Sequence, residues 1–338
     1  MNIQKKISLK PYNTFGIDVK ARYFVEVNTV DDLIRVLQLP GYPKKFILGG
    51  GSNLLLTKDL DALVIHLNIK GKKINKENTH HVLVQVYAGE NWHDFVLWTL
   101  AQDYGGLENL SLIPGNTGAA PIQNIGAYGV ELKNVFHSCE AVHIHTGEKQ
   151  EYNLEDCKFG YRDSIFKNAL KNKVVVTSMT VKLSKNKHIL NTNYGAIESK
   201  LHELGITNPD IRDVSKAVIA IRQSKLPDPQ ILGNSGSFFK NPVIEKSHFE
   251  ALQVKHPKIP GYPTANTSKI KVPAGWLIEQ CGLKGKRFGD AGVHEKQALV
   301  LVNHANATGK EILTLANHIQ KVVKQQFQIA IEPEVNIM

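Results

Sequence analysis

A glycine- and alanine-rich stretch at residues 114–129 constrains the fold of this chain more than any other feature. Its sequence is PGNTGAAPIQNIGAYG, with four glycines and three alanines. A shorter stretch of the same kind, GGGSN at 49–53, directly follows an apolar run. We call 49–53 the first glycine loop and 114–129 the second glycine loop. Glycine tolerates positive φ angles, and a loop without bulky side chains can direct successive N–H groups at a phosphate. Two such loops predict a site for a dinucleotide-sized cofactor.

Neither loop carries a standard nucleotide-binding signature. The second glycine loop lacks the spacing GxGxxG followed by an acidic residue about twenty positions later. The P-loop pattern GxxxxGK followed by Ser or Thr occurs nowhere in the chain. A Rossmann or P-loop fold is therefore disfavoured. For either loop alone, a tight structural turn is an equally good interpretation.

The bulk properties are those of a large globular protein. With 338 residues the chain has room for roughly two domains with substantial cores. Its three cysteines, Cys139, Cys157 and Cys281, are widely spaced and match no metal-ligand pattern. The sequence shows no signal segment, and no run reaches the roughly eighteen apolar residues of a membrane helix. We therefore expect a cytoplasmic protein without disulfides, metal or a membrane span.

The net charge of +10 raises the possibility of a nucleic-acid-binding module. However, the lysines are scattered through polar stretches, and the chain has no strip of alternating basic and aromatic residues. A few basic residues lie instead in glycine-rich or apolar contexts and are better candidates for binding a small anion. They are Arg162, Arg222, Lys225, Lys240 and Lys284.

The apolar pattern predicts an α+β fold. Strands are expected at 46–48, 62–67, 82–88, 140–145, 173–183 and 329–335, where β-branched residues cluster or apolar and polar residues alternate. Helices are expected at 92–100, 214–223, 273–280 and 312–323, where apolar residues recur at helical spacing. A proline cluster indicates a domain boundary near residue 226.

Three short segments hold reactive side chains. Arg162 lies in the sequence GYRDS, where a surface ion pair with Asp163 is the alternative interpretation. Ser237 has no adjacent base and no GxSxG pattern, so we expect a proton donor rather than a nucleophile, or merely a turn that enters a buried strand. Glu332 and Glu334 flank Pro333 in an apolar, strand-like segment, and a capped or surface strand end is the alternative interpretation.

The motifs in combination identify a family. They are GGGSN at 49–53, IPG at 113–115, NIGAYG at 124–129, YRDS at 161–164, GSFFKNP at 236–242 and EPEV at 332–335. In this order they resemble the UDP-N-acetylenolpyruvoylglucosamine reductase (MurB) family, and the likeness spans nearly the whole chain. The subgroup that it resembles is the one with the longer loop, called type I.

The resemblance implies a FAD-binding fold of the vanillyl-alcohol-oxidase type, followed by a C-terminal α+β domain. We expect the FAD-binding domain at 1–225, with lobes of about 1–70 and 71–225, and the substrate-binding domain at 226–328. Residues 329–338 would form a strand that returns to the FAD-binding domain. The expected contacts of noncovalently bound FAD are Gly49, Gly50, Gly51, Ser52, Asn53, Gly115, Gly118, Ala119, Ala120, Ile122, Gly126, Tyr128 and Arg222. At Ala119 and Ala120 any contact with the pyrophosphate must use backbone N–H groups.

The family's three catalytic positions correspond to Arg162, Ser237 and Glu334. The implied reaction takes hydride from NADPH through FAD to an enolpyruvyl ether, which yields UDP-N-acetylmuramate for the bacterial cell wall. Arg162 would stabilise the negative charge that develops beside the carboxylate. Ser237 would donate the proton, and Glu334 would orient or polarise the intermediate.

The implied substrate contacts are Tyr194, Lys225, Asn241, Lys284 and Gln297. The two lysines suit the pyrophosphate, and Tyr194 matches a tyrosine that covers the nucleotide in the longer-loop subgroup. Asn336 stands where we expect a basic residue. We expect a monomer that binds these small molecules but neither nucleic acid nor membrane.

The nearest alternative is another FAD-dependent oxidoreductase of the same fold, acting on an alcohol or a sugar lactone. Such enzymes often attach FAD covalently through a histidine or a cysteine. Neither glycine loop contains either residue type, which argues against covalent attachment.

Overall fold

The computed structural model describes residues 2–42 and 44–338, which form two compact units. The first unit consists of the described residues within 1–7, 21–50 and 60–224, and the second of 8–20, 51–59 and 225–338. This division differs from the expected one, because two N-terminal segments group with the C-terminal part of the chain. The boundary at Ser224 and Lys225 lies beside the expected boundary.

The described part of the chain contains seven α-helices, twenty strands and six short 3-10 helices. The helices are α1 Val30–Leu37, α2 Trp92–Ala101, α3 Ile197–Glu203, α4 Ile211–Lys225, α5 Lys246–Lys255, α6 Ala274–Gln280 and α7 Gly309–Phe327. The strands as far as residue 184 are β1 Gln4–Ser8, β2 Lys20–Val27, β3 Lys45–Leu48, β4 Leu54–Leu55, β5 Leu60–Leu67, β6 Lys72–Glu77, β7 His81–Tyr87, β8 Gly126–Ala127, β9 Val130–Glu131, β10 Phe136–His143, β11 Lys149–Asn153 and β12 Val174–Ser184. The later strands are β13 Gly233–Ser237, β14 Val243–Glu245, β15 Tyr262–Pro263, β16 Lys269–Lys271, β17 Arg287–Phe288, β18 Ala291–Val293, β19 Val300–Asn303 and β20 Asn336–Ile337.

Two sheets form the framework of the first unit. The smaller has the order β1-β2-β5-β3, with β5 parallel to both β2 and β3. The larger has the order β11-β10-β12-β7-β6 and is antiparallel in every pair. Helix α2 buries Trp92, Phe95 and Leu100 in the same core as the apolar side chains of β7 and β12. This packing fixes the start of α2 beside the end of β7.

The second unit contains a sheet with the order β13-β19-β18-β17 and a smaller one with the order β14-β16-β15. Phe238 and Phe239 directly follow β13 and are buried, with ring centroids 5.1 Å apart. The long helix α7 begins with a capping box in which Thr308 and Glu311 exchange hydrogen bonds. Burial of the phenylalanine pair holds the segment after Ser237 in place.

The expected strands and helices are present with shifted ends, except at the C-terminus. The expectation of a strand over 329–335 is wrong, because only Pro333 makes a bridge there and β20 begins at Asn336. Residues 329–338 belong to the second unit, where β20 pairs with β4 in parallel. No helix in 2–42 or 44–338 is both long and apolar enough to cross a membrane.

Candidate functional site

The start of the first glycine loop packs against the second glycine loop in the first unit. A Cβ atom on Gly50 would lie 2.8 Å from Asn116 Oδ1, 3.0 Å from Gly115 Cα and 3.2 Å from Asn116 N. These distances are shorter than ordinary van der Waals contacts, so only glycine fits at position 50 without displacing its neighbours. The two loops predicted to act together therefore do meet.

Three backbone N–H groups at this meeting point have no partner in the part of the chain that the structure describes. The N–H groups of Gly50, Gly115 and Asn116 donate no hydrogen bond to any residue in 2–42 or 44–338. Unpaired N–H groups of adjacent loop residues form anion-binding concavities. The meeting point of the loops therefore fits a phosphate group. Gly51 and the rest of the first glycine loop belong to the second unit.

The N–H groups of Gly118, Ala119 and Ala120 are already in use. They donate to the carbonyl oxygens of Ala88, Asn116 and Thr117, respectively. Gly118 also packs so tightly on Ala88 that an added Cβ would lie 2.5 Å from the Ala88 Cβ. In this structure, therefore, Ala119 and Ala120 do not offer the backbone donors expected of them. The unpaired donors lie at Gly50, Gly115 and Asn116 instead.

The chain between β7 and α2 holds the second glycine loop from one side. Trp92 donates its backbone N–H to Gly115 O at 2.9 Å and its indole N–H to Leu110 O at 2.8 Å. Thr117 donates its N–H to Glu90 O and its hydroxyl to Tyr87 O. These hydrogen bonds fix the position of residues 115–117 relative to β7 and α2.

Leu112, two residues before the second glycine loop, has a strained backbone conformation with φ at +57°. Its N–H donates to His93 Nδ1 at 3.0 Å, and its carbonyl oxygen accepts from Arg222 Nε at 3.2 Å. Both polar groups of this residue are thus held by side chains from two different helices, α2 and α4. These two hydrogen bonds restrain the direction of the backbone just before Pro114 and Gly115.

Arg222 is a partly buried cation whose side chain contacts no carboxylate among residues 2–42 and 44–338. Burial lowers the pKa of its guanidinium, and the neighbouring Tyr128 raises it, yet a guanidinium stays protonated in proteins. Burial raises the pKa of the Tyr128 phenol, so this hydroxyl keeps its proton as a donor. A buried positive charge without a carboxylate suits a phosphate of a bound nucleotide.

Arg162 lies in a tight turn that three hydrogen bonds attach to the second glycine loop. Asn124 Nδ2 donates to Gly160 O at 3.0 Å, Ser164 Oγ to Ile122 O at 2.6 Å, and Arg162 Nη2 to Gly126 O at 2.6 Å. The backbone of Arg162 has φ at +54°, and its guanidinium lies 5.3 Å from the centroid of the Tyr161 ring. The arginine is therefore positioned by the second glycine loop.

Tyr194 lies against the end of the second glycine loop. A Cβ on Gly129 would lie 3.1 Å from the Tyr194 Cβ, and the Tyr194 side chain is 55% exposed. Asn109 joins the two segments, because its side-chain amide donates to Tyr128 O at 2.9 Å and to Asn191 O at 2.8 Å. The loop that carries Tyr194 is thus fastened beside Tyr128, with Tyr194 itself partly covered by Gly129.

Ser237 and Glu334 lie on adjacent extended segments of the second unit. Lys240 N donates to Glu332 O at 2.9 Å and Glu334 N to Phe238 O at 2.8 Å, on either side of the bridge between Phe239 and Pro333. Proline fits at this position because the bridge does not use its missing N–H. Ser237 is exposed and Glu334 partly buried.

Asn336 fastens the first glycine loop to the segment that carries Glu334. Its backbone N–H and its side-chain amide both donate to Asn53 O, at 3.1 and 3.0 Å. Asn53 Nδ2 in turn donates to Glu334 O at 3.4 Å. The residue that stands where a basic one was expected thus has a structural partner in the first glycine loop.

Three of the expected substrate contacts surround the short helix α6. Asn241 Oδ1 accepts the N–H of Ala274 at 3.0 Å, and a Cβ on Gly275 would lie 3.0 Å from Gln297 Oε1. Lys284, just after the helix, forms an ion pair with Glu279 at 2.8 Å. Lys225 is the exposed last residue of α4.

Sequence reasoning did not single out several residues that build this site. They are His93, Asn109 and Asn116, which support the second glycine loop or its contact with the first. His93 lies in an apolar helical stripe and Asn109 in no motif, so neither carries a local signal. Asn116 lies inside the second glycine loop and could have been found as its first polar side chain.

Two family models match the chain. One, described as FAD binding domain, matches residues 21–152, and the other, described as UDP-N-acetylenolpyruvoylglucosamine reductase, C-terminal domain, matches residues 228–338. A Flavobacterium johnsoniae protein named UDP-N-acetylenolpyruvoylglucosamine reductase is 57% identical over 100% of both chains. A Chromobacterium violaceum protein of the same name is 48% identical over 100% of this chain and 99% of its own. The crystal structure of the reductase MurB from Thermus caldophilus matches with a TM-score of 0.70 and 25% identity, covering 100% of this chain and 99% of its own.

Proposed function

Because the chain belongs to the UDP-N-acetylenolpyruvoylglucosamine reductase family, we propose that it converts this compound to UDP-N-acetylmuramate with NADPH as reductant. It is an FAD-dependent oxidoreductase of peptidoglycan synthesis that acts on a small molecule. The predicted FAD-binding fold of the vanillyl-alcohol-oxidase type with a C-terminal α+β domain is confirmed. Membership of the longer-loop subgroup stays a prediction.

The observation that carries the cofactor assignment is that Gly50, Gly115 and Asn116 lie in contact and that their N–H groups donate to no described residue. The chain offers this donor cluster in the same unit as Arg222, a cation without a carboxylate among the described residues. Pyrophosphate needs such a combination of backbone donors and positive charge. These residues would hold FAD noncovalently, and Tyr128 would add a protonated hydroxyl.

Bound FAD would supply the hydride that the terminal CH₂ carbon of the enolpyruvyl group receives. Negative charge then develops on the neighbouring carbon and spreads into the carboxylate. Arg162 suits this charge because its guanidinium is permanently cationic and matches a carboxylate in geometry. The turn that carries Arg162 is bonded to Ile122, Asn124 and Gly126, so binding of the cofactor and placement of this cation are coupled.

Ser237 would give its proton to that carbon. A serine hydroxyl is a weak acid, but a carbanion is basic enough to take its proton. Glu334 would orient the intermediate from the neighbouring segment, which is paired to the residue after Ser237. A carboxylate anion would oppose the developing negative charge, so the neutral acid is the form that we propose for Glu334.

The substrate's nucleotide would be held by Lys225, Asn241, Lys284 and Gln297, with Tyr194 over it. Lys284 pairs with Glu279 in this structure and would exchange that partner for a phosphate. We further propose that the protein works as a cytoplasmic monomer and binds neither nucleic acid nor membrane.

A product analysis tests this function. The purified protein is expected to be yellow and to release its flavin on acid precipitation. With NADPH and UDP-N-acetylenolpyruvoylglucosamine it should form a product heavier by one hydride and one proton, detected by mass spectrometry. Flavin that stays in the precipitate, or the absence of this reduced product, would contradict the proposal.

A further inference from the structure

The hydrogen bond between Leu112 and His93 determines which form of the histidine ring is compatible with this structure. A backbone N–H can only donate, so His93 Nδ1 must accept and cannot carry a proton. The remaining ring proton must therefore be on Nε2. The doubly protonated ring has no acceptor and cannot make this bond.

The charges around His93 also favour its neutral form. Asp94, on the same helix, raises the pKa of the ring, whereas burial and the nearby Arg222 of α4 lower it. Burial is the largest of these effects, and the pKa lies below its ordinary value. A protonated His93 would also place a second positive charge beside Arg222, which donates to the carbonyl oxygen of the same residue, Leu112.

We propose that His93 is a positioning residue for FAD: its neutral ring holds Leu112, and through it the entry of the second glycine loop, in the conformation that binds the cofactor. Leu112 has φ at +57°, a conformation that a leucine does not adopt without restraint. Three residues later, Gly115 presents an unpaired N–H at the meeting point of the loops. Apart from His93, no described residue of α2 accepts a hydrogen bond from the Leu112 N–H. The inference rests on the proposed function in that it takes FAD to be the ligand of these loops.

The sign of the pH effect follows from the neutral form. Since the pKa of His93 is lowered in the folded protein, its contribution is fully present above the ordinary histidine value of 6.5 and is lost as the pH falls through its lowered value. Uptake of one proton that opposes binding raises a dissociation constant by up to about tenfold per pH unit. FAD binding should therefore weaken on acidification.

The experiment is a titration of the apoprotein with FAD, followed by flavin fluorescence between mildly acidic and mildly alkaline pH. His93→Asn places an amide oxygen near the position of Nδ1, so it should accept from Leu112 at every pH. We expect its affinity to be within about threefold of wild type at neutral pH, with the acid dependence lost. His93→Phe removes the acceptor and should raise the dissociation constant by about 5- to 100-fold at all pH values, the cost of leaving the partly buried Leu112 N–H unpaired.

His137→Asn is the matched control, since His137 is an exposed histidine of the same unit. It should keep the wild-type profile. A wild-type pH profile in His93→Asn, or wild-type affinity in His93→Phe, would overturn the inference.

Nitrogen NMR of the His93 ring separates this inference from the proposed function. The inference requires the Nε2–H tautomer in the apoprotein, and the Nδ1–H tautomer would overturn it even if FAD binds. A wild-type protein that shows the Nε2–H tautomer but does not bind FAD would contradict the proposed function, and with it the role of His93 toward that cofactor.

Discussion

Gly50→Ala tests whether the meeting of the two glycine loops builds the cofactor site. The added Cβ would lie 2.8 Å from Asn116 Oδ1, 3.0 Å from Gly115 Cα and 3.2 Å from Asn116 N. The Asn116 amide could rotate away at little cost. The other two atoms are backbone, so the loops must separate by a few tenths of an ångström.

The magnitude follows from two opposing effects on the free energy of unfolding. Overpacking of this kind costs about 1–3 kcal/mol, whereas replacing a glycine that does not need a positive φ stabilises by about 0.4–1 kcal/mol. A net destabilisation of about 1.5 kcal/mol would lower the melting temperature of a unit of this size by about 3–6 °C. If one N–H to phosphate bond is also misaligned, the affinity for FAD should fall by about 10- to 100-fold.

Thermal unfolding of the apoprotein and a fluorescence titration with FAD measure the two effects separately. Gly49→Ala is the matched control for stability, because a Cβ on Gly49 would meet nothing within 4 Å. We expect Gly49→Ala to melt at or slightly above the wild-type temperature. The reasoning is refuted if Gly50→Ala melts like Gly49→Ala and binds FAD as tightly as the wild type does.

Three further predictions concern the chemistry. Ser237→Ala should leave reduction of the flavin by NADPH near normal and slow its reoxidation by the enolpyruvyl substrate by about 10²–10⁴-fold. Ser237→Cys should retain more activity than Ser237→Ala. Equal losses of rate in both half-reactions, measured by stopped-flow, would argue against a proton donor. Glu334→Gln should keep a measurable part of the single-turnover rate that Glu334→Ala loses, and two equally slow variants would favour a charged or proton-transferring carboxyl group. NADPH and substrate should give parallel double-reciprocal lines, because both bring a carbon to the same flavin and both carry a pyrophosphate that suits Lys284. Lys284→Ala should therefore raise the KM for the UDP substrate. Intersecting lines would exclude a shared site.

For the glycine loops, the sequence predicts the kind of site but not the atoms that form it. Their composition predicts a phosphate site, and the structure adds that the N–H groups of Gly50, Gly115 and Asn116 donate to no described residue. The sequence could not distinguish these from Ala119 and Ala120, because the composition of the loop does not predict the local turn in which Ala119 and Ala120 donate to Asn116 O and Thr117 O. Composition identifies a loop that can offer N–H groups to an anion, and the folded conformation decides which of those groups stay unpaired.

Contacts between segments remote in sequence explain why the two units differ from the expected domains. Residues 8–20 and 51–59 join the second unit through contacts such as that of Phe15 O with Asn303 Nδ2 at 2.9 Å. No local pattern of charge or hydrophobicity encodes such pairings. The strand expected over 329–335 is wrong for a related reason, since the pairing partners there are single residues such as Phe239 rather than a continuous strand.

The central claim is that this protein uses a reduced flavin to reduce an enolpyruvyl ether. The most direct measurement is anaerobic stopped-flow spectroscopy of the protein after its flavin has been reduced by NADPH. On mixing with UDP-N-acetylenolpyruvoylglucosamine, the flavin absorbance should return in a single turnover, with UDP-N-acetylmuramate formed in equal amount. A flavin that stays reduced with this compound, while an alcohol or a sugar lactone reduces the oxidised flavin, would contradict the claim.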